Sequence, residues 1–419
     1  MQRILLPLGF LLAATWLVWA ARAVPAADET ATTNTLGWRG DGSGRYPQAD
    51  PPSQWDSDSG RNILWRAKVG KGQSTPLAVG RCVLVASEPD RLTALDAADG
   101  KVLWTRASGY QSLPPGIKTP EKNPPTSPNC GYSTPTPTSD GQAVYAAFGT
   151  GVVACYDLAG ARRWLRYLDM RQTTEYGRSA SPLLVGGKLI VSLGGLVALE
   201  AQSGRTLWQT PEAKMTYGTP ATATIGESEV LFTPGGDCVR LADGKILARR
   251  LAASTYTSPL VDSGVVYYLD SSSVAIKLPA QATEGFKPEK LWDSDDLEGE
   301  FYTSPLLSGG ILYTSSNAGV LYALEAKTGK IIWQKELEIR NASGKPGSPP
   351  GNLYPSPTLA GNRLLVGNDV GQMLVLVPGA EYRETARNFL EQGSGASPVP
   401  DGKRLFLRGG DKLYAIGRK

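Results

Sequence analysis

The side chains available for chemistry in this 419-residue chain do not include histidine, which the sequence lacks entirely. Histidine is the most common general base near neutral pH, so its absence excludes a Ser-His-Asp triad, histidine-bound zinc and histidine-ligated haem. Catalysis would have to rely on carboxylates, lysine, tyrosine, serine or a cofactor. The 43 basic and 39 acidic residues give a net charge of +4 without a basic run, which argues against nucleic-acid binding.

Acidic residues recur at one turn position of a repeat, at Asp96, Asp157, Glu200 and Glu325. A role that recurs in each copy indicates structure rather than a single active site. Glycoside hydrolysis needs a pair of carboxylates flanking one bond, and calcium needs six or more converging oxygen atoms. The spacing singles out neither arrangement, so we predict no catalytic residue and no metal ligand.

The four cysteines, Cys82, Cys130, Cys155 and Cys238, include no Cys-x-x-Cys pair. We therefore expect no thiolate metal site. Cys155 occupies a position that alanine holds in three other copies of the repeat. A small buried side chain explains it more simply than a disulfide does.

The elements that must position these groups are repeats. Residues 91–104 read RLTALDAADGKVLW, residues 195–208 read GLVALEAQSGRTLW, and residues 320–333 read VLYALEAKTGKIIW. Alternating apolar residues, a glycine-containing turn and a second strand that ends in tryptophan are typical of a β-hairpin. A large aromatic residue every ~40 residues can fill the space between packed sheets. The predicted structural tryptophans are Trp65, Trp104, Trp164, Trp208, Trp292 and Trp333.

A Ser/Thr-Pro pair opens each repeat, which leaves room for two further strands and gives about four strands in ~40 residues. The repeats begin at residues 62–65 with a lone final strand and end at residues 412–419 without one. The predicted fold class is therefore all-β: an eight-bladed β-propeller with four-stranded antiparallel blades, the last blade being closed by N- and C-terminal strands. The pairs are Thr75-Pro76, Thr134-Pro135, Ser181-Pro182, Thr219-Pro220, Ser258-Pro259, Ser304-Pro305, Ser356-Pro357 and Ser397-Pro398.

Residues 1–26 have the pattern of a secretory signal peptide, with Arg3 before an apolar run and small-x-small cleavage patterns after it. The alternative is an uncleaved membrane anchor, because the apolar run at residues 4–20 is at the lower limit of spanning length. We expect an exported protein, periplasmic or extracellular, without a transmembrane span after cleavage. Residues 27–61 are predicted as an irregular segment and residues 62–419 as the propeller.

The Ala-Leu-Asp-x-x-x-Gly-Lys-x-x-Trp unit resembles the pyrroloquinoline-quinone (PQQ) repeat. Quinoprotein alcohol dehydrogenases and outer-membrane-assembly propellers of the BamB type share this repeat, and the resemblance covers residues 62–419. It implies the fold but not the activity, because the same propeller serves binders and enzymes. A resemblance to the dehydrogenases in particular would imply PQQ bound on the propeller axis with calcium, a stacking tryptophan, a catalytic aspartate and often a disulfide between adjacent cysteines. No two cysteines are adjacent here.

The loops after Trp104 and Trp333 are much longer than their counterparts and leave the same strand type, so we expect them on one face of the ring. Such insertions often mark a binding face, although they can also be plain surface loops. Tyrosines precede the Ser/Thr-Pro pairs on that face. They are either aromatic contacts for a ligand or partner, or packing that fills a wide channel. These residues are Tyr132, Tyr176, Tyr217, Tyr256, Tyr302 and Tyr354.

The predicted function is a non-catalytic, exported and monomeric scaffold that binds a protein or another envelope component, with no cofactor. One alternative is a PQQ-dependent oxidoreductase with a degenerate site, which would need PQQ and calcium. A second alternative is a carbohydrate-binding or carbohydrate-cleaving propeller.

Overall fold

The architecture is known from a computed structural model that describes residues 36–338 and 351–419. These residues form 33 β-strands and one short 3-10 helix, Tyr110–Ser112. The predicted signal peptide lies outside the described residues, as do residues 27–35 of the predicted irregular segment. Among the described residues, no helix has the length and apolar character needed to cross a membrane.

The strands form eight sheets, here called blades, in which neighbouring strands along the chain pair antiparallel. Blade 1 contains β3 (Leu77–Val79), β4 (Cys82–Ser87), β5 (Arg91–Asp96) and β6 (Val102–Ala107). Blade 2 contains β7 (Thr138–Ser139), β8 (Ala143–Ala147), β9 (Val152–Asp157) and β10 (Arg162–Tyr167). Blade 3 contains β11 (Leu183–Val185), β12 (Lys188–Ser192), β13 (Leu196–Glu200) and β14 (Thr206–Thr210). Blade 4 contains β15 (Ala221–Ile225), β16 (Ser228–Phe232), β17 (Cys238–Arg240) and β18 (Ile246–Ala248).

The second half of the chain continues the pattern. Blade 5 contains β19 (Leu260–Asp262), β20 (Val265–Tyr268), β21 (Ser273–Lys277) and β22 (Glu289–Ser294). Blade 6 contains β23 (Leu306–Ser308), β24 (Ile311–Ser315), β25 (Val320–Glu325) and β26 (Ile331–Glu336). Blade 7 contains β27 (Thr358–Ala360), β28 (Arg363–Gly367), β29 (Gln372–Leu376) and β30 (Glu384–Phe389). Blade 8 contains β31 (Val399–Asp401), β32 (Arg404–Gly409), β33 (Lys412–Ile416) and β2 (Ile63–Lys68).

Blade 8 joins the two ends of the propeller. Its outermost strand, β2, precedes blade 1 in the chain and pairs antiparallel with β33, with Trp65 opposite Ala415. This closure ties the N-terminal part of the propeller to its C-terminus, so that the ring has no open end. The predicted eight-bladed propeller, closed by N- and C-terminal strands, is confirmed.

Eight apolar clusters hold the ring together, one between each pair of neighbouring blades. The cluster between blades 8 and 1, for example, joins Trp65 and Phe406 to Val83, Val85 and Leu95. Since every blade buries both faces, its inner strands are apolar on both sides rather than on alternate residues.

The repeat tryptophans lie at these junctions. In each of the six, the indole Nε1 donates a hydrogen bond to a turn carbonyl of the next blade, as Trp164 does to Ala201 at 2.9 Å. At five of the six junctions, all except that of Trp333, the ring also covers a glycine in that turn. Gly204 has φ +71°, and a Cβ there would lie 2.7 Å from Cδ2 of Trp164. The turn therefore requires glycine both for its backbone angle and for the close approach of the ring.

Two blades have alanine where the others have tryptophan, at Ala248 and Ala386. At the first junction, the expanded β21–β22 turn brings Phe286 against the apolar cluster. At the second, Trp55 from the N-terminal segment is 2% exposed within the cluster. Aromatic side chains from outside the repeat therefore fill both gaps.

The Ser/Thr-Pro pairs form a second ring, around the propeller axis. In seven of the eight junctions, a backbone N–H of one pair donates to the hydroxyl oxygen of the next pair, at 2.9–3.1 Å. In blade 2, the pair that takes part in this ring is Thr136-Pro137, directly before β7. The predicted pair, Thr134-Pro135, does not. The prediction was wrong by two residues because Thr-Pro occurs twice in succession there.

All four cysteines are free and buried. Cys155 pairs with Trp164 across β9 and β10, in the position where blades 1, 3 and 6 have alanine. Burial raises the pKa of the Cys155 thiol to about 12, so it behaves as a small apolar side chain.

Candidate functional site

The N-terminal segment closes one end of the central channel. Leu36 exchanges backbone hydrogen bonds with Ser139 of blade 2. Further along, β1 (Arg45–Tyr46) pairs parallel with β27 and becomes a fifth strand on the inner edge of blade 7. Between these anchors the segment crosses from one side of the ring to the other, so the channel is a cup rather than an open pore.

Arg39 fixes this segment from inside. The residue is 2% exposed, and its guanidinium donates to the carbonyl oxygens of Pro305 at 2.8 Å and Pro357 at 2.9 Å, in blades 6 and 7. Burial lowers the pKa of Arg39 to about 10, because its charge has lost solvation. Two charge-assisted hydrogen bonds offset that loss and hold the segment in the channel.

Five tyrosines form a belt at the opposite end of the channel. Their rings contact one another in sequence around the mouth, with centroids 4.8–5.9 Å apart. Three of the four contacts are stacked, and the contact of Tyr256 with Tyr302 is edge-to-face. Each Tyr precedes the Ser/Thr-Pro pair of its blade, which places it just above the start of the innermost strand. The belt consists of Tyr176, Tyr217, Tyr256, Tyr302 and Tyr354.

Tyr132, the sixth predicted tyrosine, does not join the belt and does not line the cavity. Its hydroxyl donates to the carbonyl of Pro124 at 3.0 Å, within the long loop of blade 1. The register of blade 2 explains this difference. Since Thr136-Pro137 opens that blade, Tyr132 lies five residues before the proline, and Thr134 takes the lining position.

A cavity of about 430 Å³ is enclosed by the tyrosine belt, the Ser/Thr ring and the N-terminal segment. The tyrosines surround its mouth, the eight hydroxyls of the Ser/Thr ring line its walls, and Trp38 lines it at the closed end. Gln73 and Asn129 complete the wall on the side without tyrosines. Its size is within the roughly 300–1,000 Å³ of small-molecule sites.

The charge of the lining is negative. Among the described residues, Glu300 and Asp369 are the carboxylates that line the cavity, and no described lysine or arginine lines it. Neither carboxylate forms an ion pair with a described residue. Burial, together with the hydrogen bond from its hydroxyl to Glu300, raises the pKa of Tyr302 to about 12. Burial and the charge of Glu300 also raise the pKa of Tyr256.

The long loop of blade 1, residues 108–134, stands beside the mouth with a fixed base and an exposed apex. The Glu88 carboxylate accepts the backbone N–H groups of Tyr132 and Ser133 at 2.9–3.0 Å and the Ser133 hydroxyl at 2.6 Å. The exposed stretch at residues 114–118, here called the apex of the loop, includes Ile117, which is 48% exposed. In the second long loop, residues 339–350 lie outside the described residues.

The lining does not match the chemistry of PQQ, although Trp38 offers an aromatic surface. PQQ is a polycarboxylate, and the described part of the lining presents two carboxylates to it and no cationic side chain to pair with. Within residues 36–338 and 351–419, no three Asp, Glu, Cys or His side chains are grouped closely enough to hold a metal ion.

Sequence reasoning did not identify Trp38, Arg39 or the ring of hydroxyls as parts of this cavity. The first two belong to a segment without a repeat pattern, and only the fold shows that this segment enters the channel. The Ser/Thr-Pro pairs were recognised as markers of strand starts. Their regular recurrence, once per blade, was the available signal that they would meet at the axis.

Comparison with known proteins agrees with this architecture. A family model described as the outer membrane protein assembly factor BamB matches residues 53–281, 245–335 and 280–378, together more than half of the chain. BamB of Moranella endobia (strain PCIT) is 23% identical over 217 residues, which are 49% of this chain and 50% of that protein. The chain thus spans about half the length of the curated relative it matches.

Two solved structures share the fold. BamB from Moraxella catarrhalis superposes with a TM-score of 0.59 at 16% identity, over 85% of this chain and 97% of that one. The quinohemoprotein alcohol dehydrogenase from Comamonas testosteroni has a TM-score of 0.60 at 11% identity, over 91% of this chain and 80% of that one. At such identities, the likeness establishes the propeller alone.

Proposed function

Because the chain belongs to the PQQ-repeat family of the outer membrane protein assembly factor BamB, we propose that it is a protein-binding scaffold of the outer-membrane-assembly type. The partner face in this proposal is the mouth of the propeller. The proposal includes export to the periplasm or cell envelope, a monomeric state, and no catalytic centre or cofactor of its own.

We chose this face as the partner face because of the loop at residues 108–134. Loops held by a rigid scaffold are the usual carriers of binding residues. Here the base is fixed by the hydrogen bonds to Glu88, while the apex exposes Ile117 and several prolines to solvent. A preformed loop loses little conformational entropy when a partner binds.

The charge and the aromatic side chains of the mouth also support its assignment as the partner face. Tyrosine is enriched at protein interfaces because it supplies a large contact area and a polar hydroxyl. The belt presents five such rings beside the loop. Glu300 and Asp369 would favour partners with a basic surface patch near the contact.

The proposal is tested by Ile117→Asp, with Val102→Asp as the matched control. Both side chains are exposed, at 48% and 52%, but Val102 lies on β6 at the outer rim of blade 1. The tagged full chain is purified from its own host, and co-purified outer-membrane proteins are quantified by mass spectrometry. Ile117→Asp should lower partner recovery by roughly tenfold, because it places a charge in a desolvated contact. Equal recovery with both variants would refute the assignment of this face.

A further inference from the structure

The hydroxyl groups of the Ser/Thr ring still have protons to donate. Seven of their oxygen atoms accept a backbone N–H from the preceding blade, as Ser304 does from Ser258 at 2.9 Å. None of the seven hydroxyls donates a hydrogen bond to a residue in the described part of the chain. Each of these side chains is at most 4% exposed, and all line the cavity. The residues are Thr75, Ser181, Thr219, Ser258, Ser304, Ser356 and Ser397.

This geometry defines what the deep part of the cavity can bind. A hydroxyl that already accepts a strong N–H bond is used mainly as a donor toward a further group. The ring therefore presents donors toward the channel axis and requires a ligand that carries several acceptor oxygens. Buried donors without acceptors are costly, so water or a ligand must satisfy them.

The mouth of the cavity requires different properties from the same ligand. The inner rings of the belt pack against one another, whereas Tyr176 and Tyr354, at its two ends, each have one ring neighbour among the described residues and leave a flat apolar face for a ligand. Tyr176 is 44% exposed. Glu300 and Asp369 offer acceptor oxygens, while Gln73 and Asn129 add amide groups. A ligand that uses this end needs an apolar face for stacking together with hydroxyl donors.

Charged ligands satisfy only some of these binding requirements. An anion would face two carboxylates, and no lysine or arginine of residues 36–338 and 351–419 lines the cavity to pair with it. A cation would suit Glu300, Asp369 and the aromatic faces, but it would leave the deep donors without acceptors. A neutral ring compound with many hydroxyl groups supplies donors, acceptors and an apolar face together.

We propose that the channel cavity binds a neutral carbohydrate of mono- or disaccharide size. Its ring would stack on the tyrosine belt, and its oxygens would accept from the Ser/Thr ring. This binding activity goes beyond the protein scaffold, because it uses the inside of the cup rather than the loop apex at Ile117.

The test is a calorimetric titration of the full-length protein with cellobiose, maltose and diacetylchitobiose as neutral probes. Spermidine and citrate serve as the cationic and anionic probes. At least one disaccharide should bind with a Kd at or below about 1 mM. Tyr176→Ala should weaken this binding about 3- to 10-fold through lost stacking, whereas Tyr176→Phe should keep it within about twofold. Tyr132→Ala, outside the cavity, is the matched control and should bind as the wild type does.

Ser304→Ala tests the deep ring in the same assay, after its urea midpoint has shown that it is folded. We expect about a threefold loss of disaccharide affinity from one removed donor. Saturation-transfer NMR should show sugar protons receiving magnetisation from the protein in the wild type and less in Tyr176→Ala. Failure of all three disaccharides to bind, or tighter binding of spermidine or citrate, would overturn the proposal. So would disaccharide binding that survives both Tyr176→Ala and Ser304→Ala unchanged.

Discussion

Substitution of Gly204 by alanine tests how the blades are joined. Gly204 has φ +71°, and an added Cβ would lie 2.7 Å from Cδ2 and 2.9 Å from Cε3 of Trp164. The indole cannot retreat freely, because its Nε1 donates to Ala201 and the ring is 9% exposed among apolar neighbours. Alanine at this position must therefore displace the ring or the turn.

The expected cost has two parts. An alanine held in the left-handed region costs about 1–2 kcal/mol. Overpacking against a fixed aromatic ring adds about 1–3 kcal/mol. Gly204→Ala should therefore lower the free energy of unfolding by about 2–5 kcal/mol.

Gly187→Ala separates these two parts. Gly187 belongs to the same blade and has the same φ of +71°, but a Cβ there would meet nothing within 4 Å. It should cost only the backbone part, about 1–2 kcal/mol. Urea unfolding followed by tryptophan fluorescence and by far-UV circular dichroism gives both values under identical conditions.

A double-mutant cycle completes the test. Trp164→Ala alone should cost about 3–5 kcal/mol, since it opens a cavity between blades 2 and 3. In that background, Gly204→Ala should cost no more than Gly187→Ala, because the clash is gone. Equal costs of the two glycine substitutions in the wild type would refute the reasoning. An undiminished cost of Gly204→Ala without Trp164 would refute it as well.

Three further predictions concern the channel and the core. Arg39→Met should lower the free energy of unfolding by about 1–3 kcal/mol in urea, because it removes the donors to the carbonyls of Pro305 and Pro357. An unchanged midpoint would contradict this role. In the folded protein the pKa of Tyr302 is raised from 10.0 to about 12, so the stability it supplies is complete below about pH 10 and lost as the pH rises through about 12. Glu300→Gln should move tyrosinate absorbance to lower pH in a spectrophotometric titration, and an unshifted curve would count against the hydrogen bond. Cys82, Cys155 and Cys238 are free, buried and outside the lining of the cavity, so a thiol reagent should react with these three only after denaturation, whereas fast labelling of more than one thiol in the native protein would show that they are accessible.

Most of the fold could be predicted from the sequence because each blade repeats the same local physics. Alternating apolar residues, a glycine turn and a terminal tryptophan recur, and their count and phase give the number of blades and the way the ring closes. The error at blade 2 came from two successive Thr-Pro pairs. Nothing local distinguishes Thr134 from Thr136, and only the hydrogen bond from Thr136 to Ser181 settles which one opens the blade.

The candidate site was less predictable, because its parts come from chain segments that are distant in sequence. Five of the six tyrosines that were singled out from sequence lie in the belt. The closed end of the cup depends on Trp38 and Arg39, which precede the repeats and carry no periodic signal. The fit of Trp55 against Ala386 likewise depends on packing between distant segments.

The most direct test of the proposed function is site-specific photo-crosslinking of the full-length chain in its own host. A photoreactive amino acid replaces Ile117 at the loop apex in one variant. In the other it replaces the exposed Glu227, in the β15–β16 turn at the opposite end of the innermost strand from the tyrosine belt. We predict a discrete adduct with an envelope protein from position 117 and none from position 227. Adducts of equal yield from both positions, or an adduct from position 227 alone, would contradict the assignment of the mouth as the partner face.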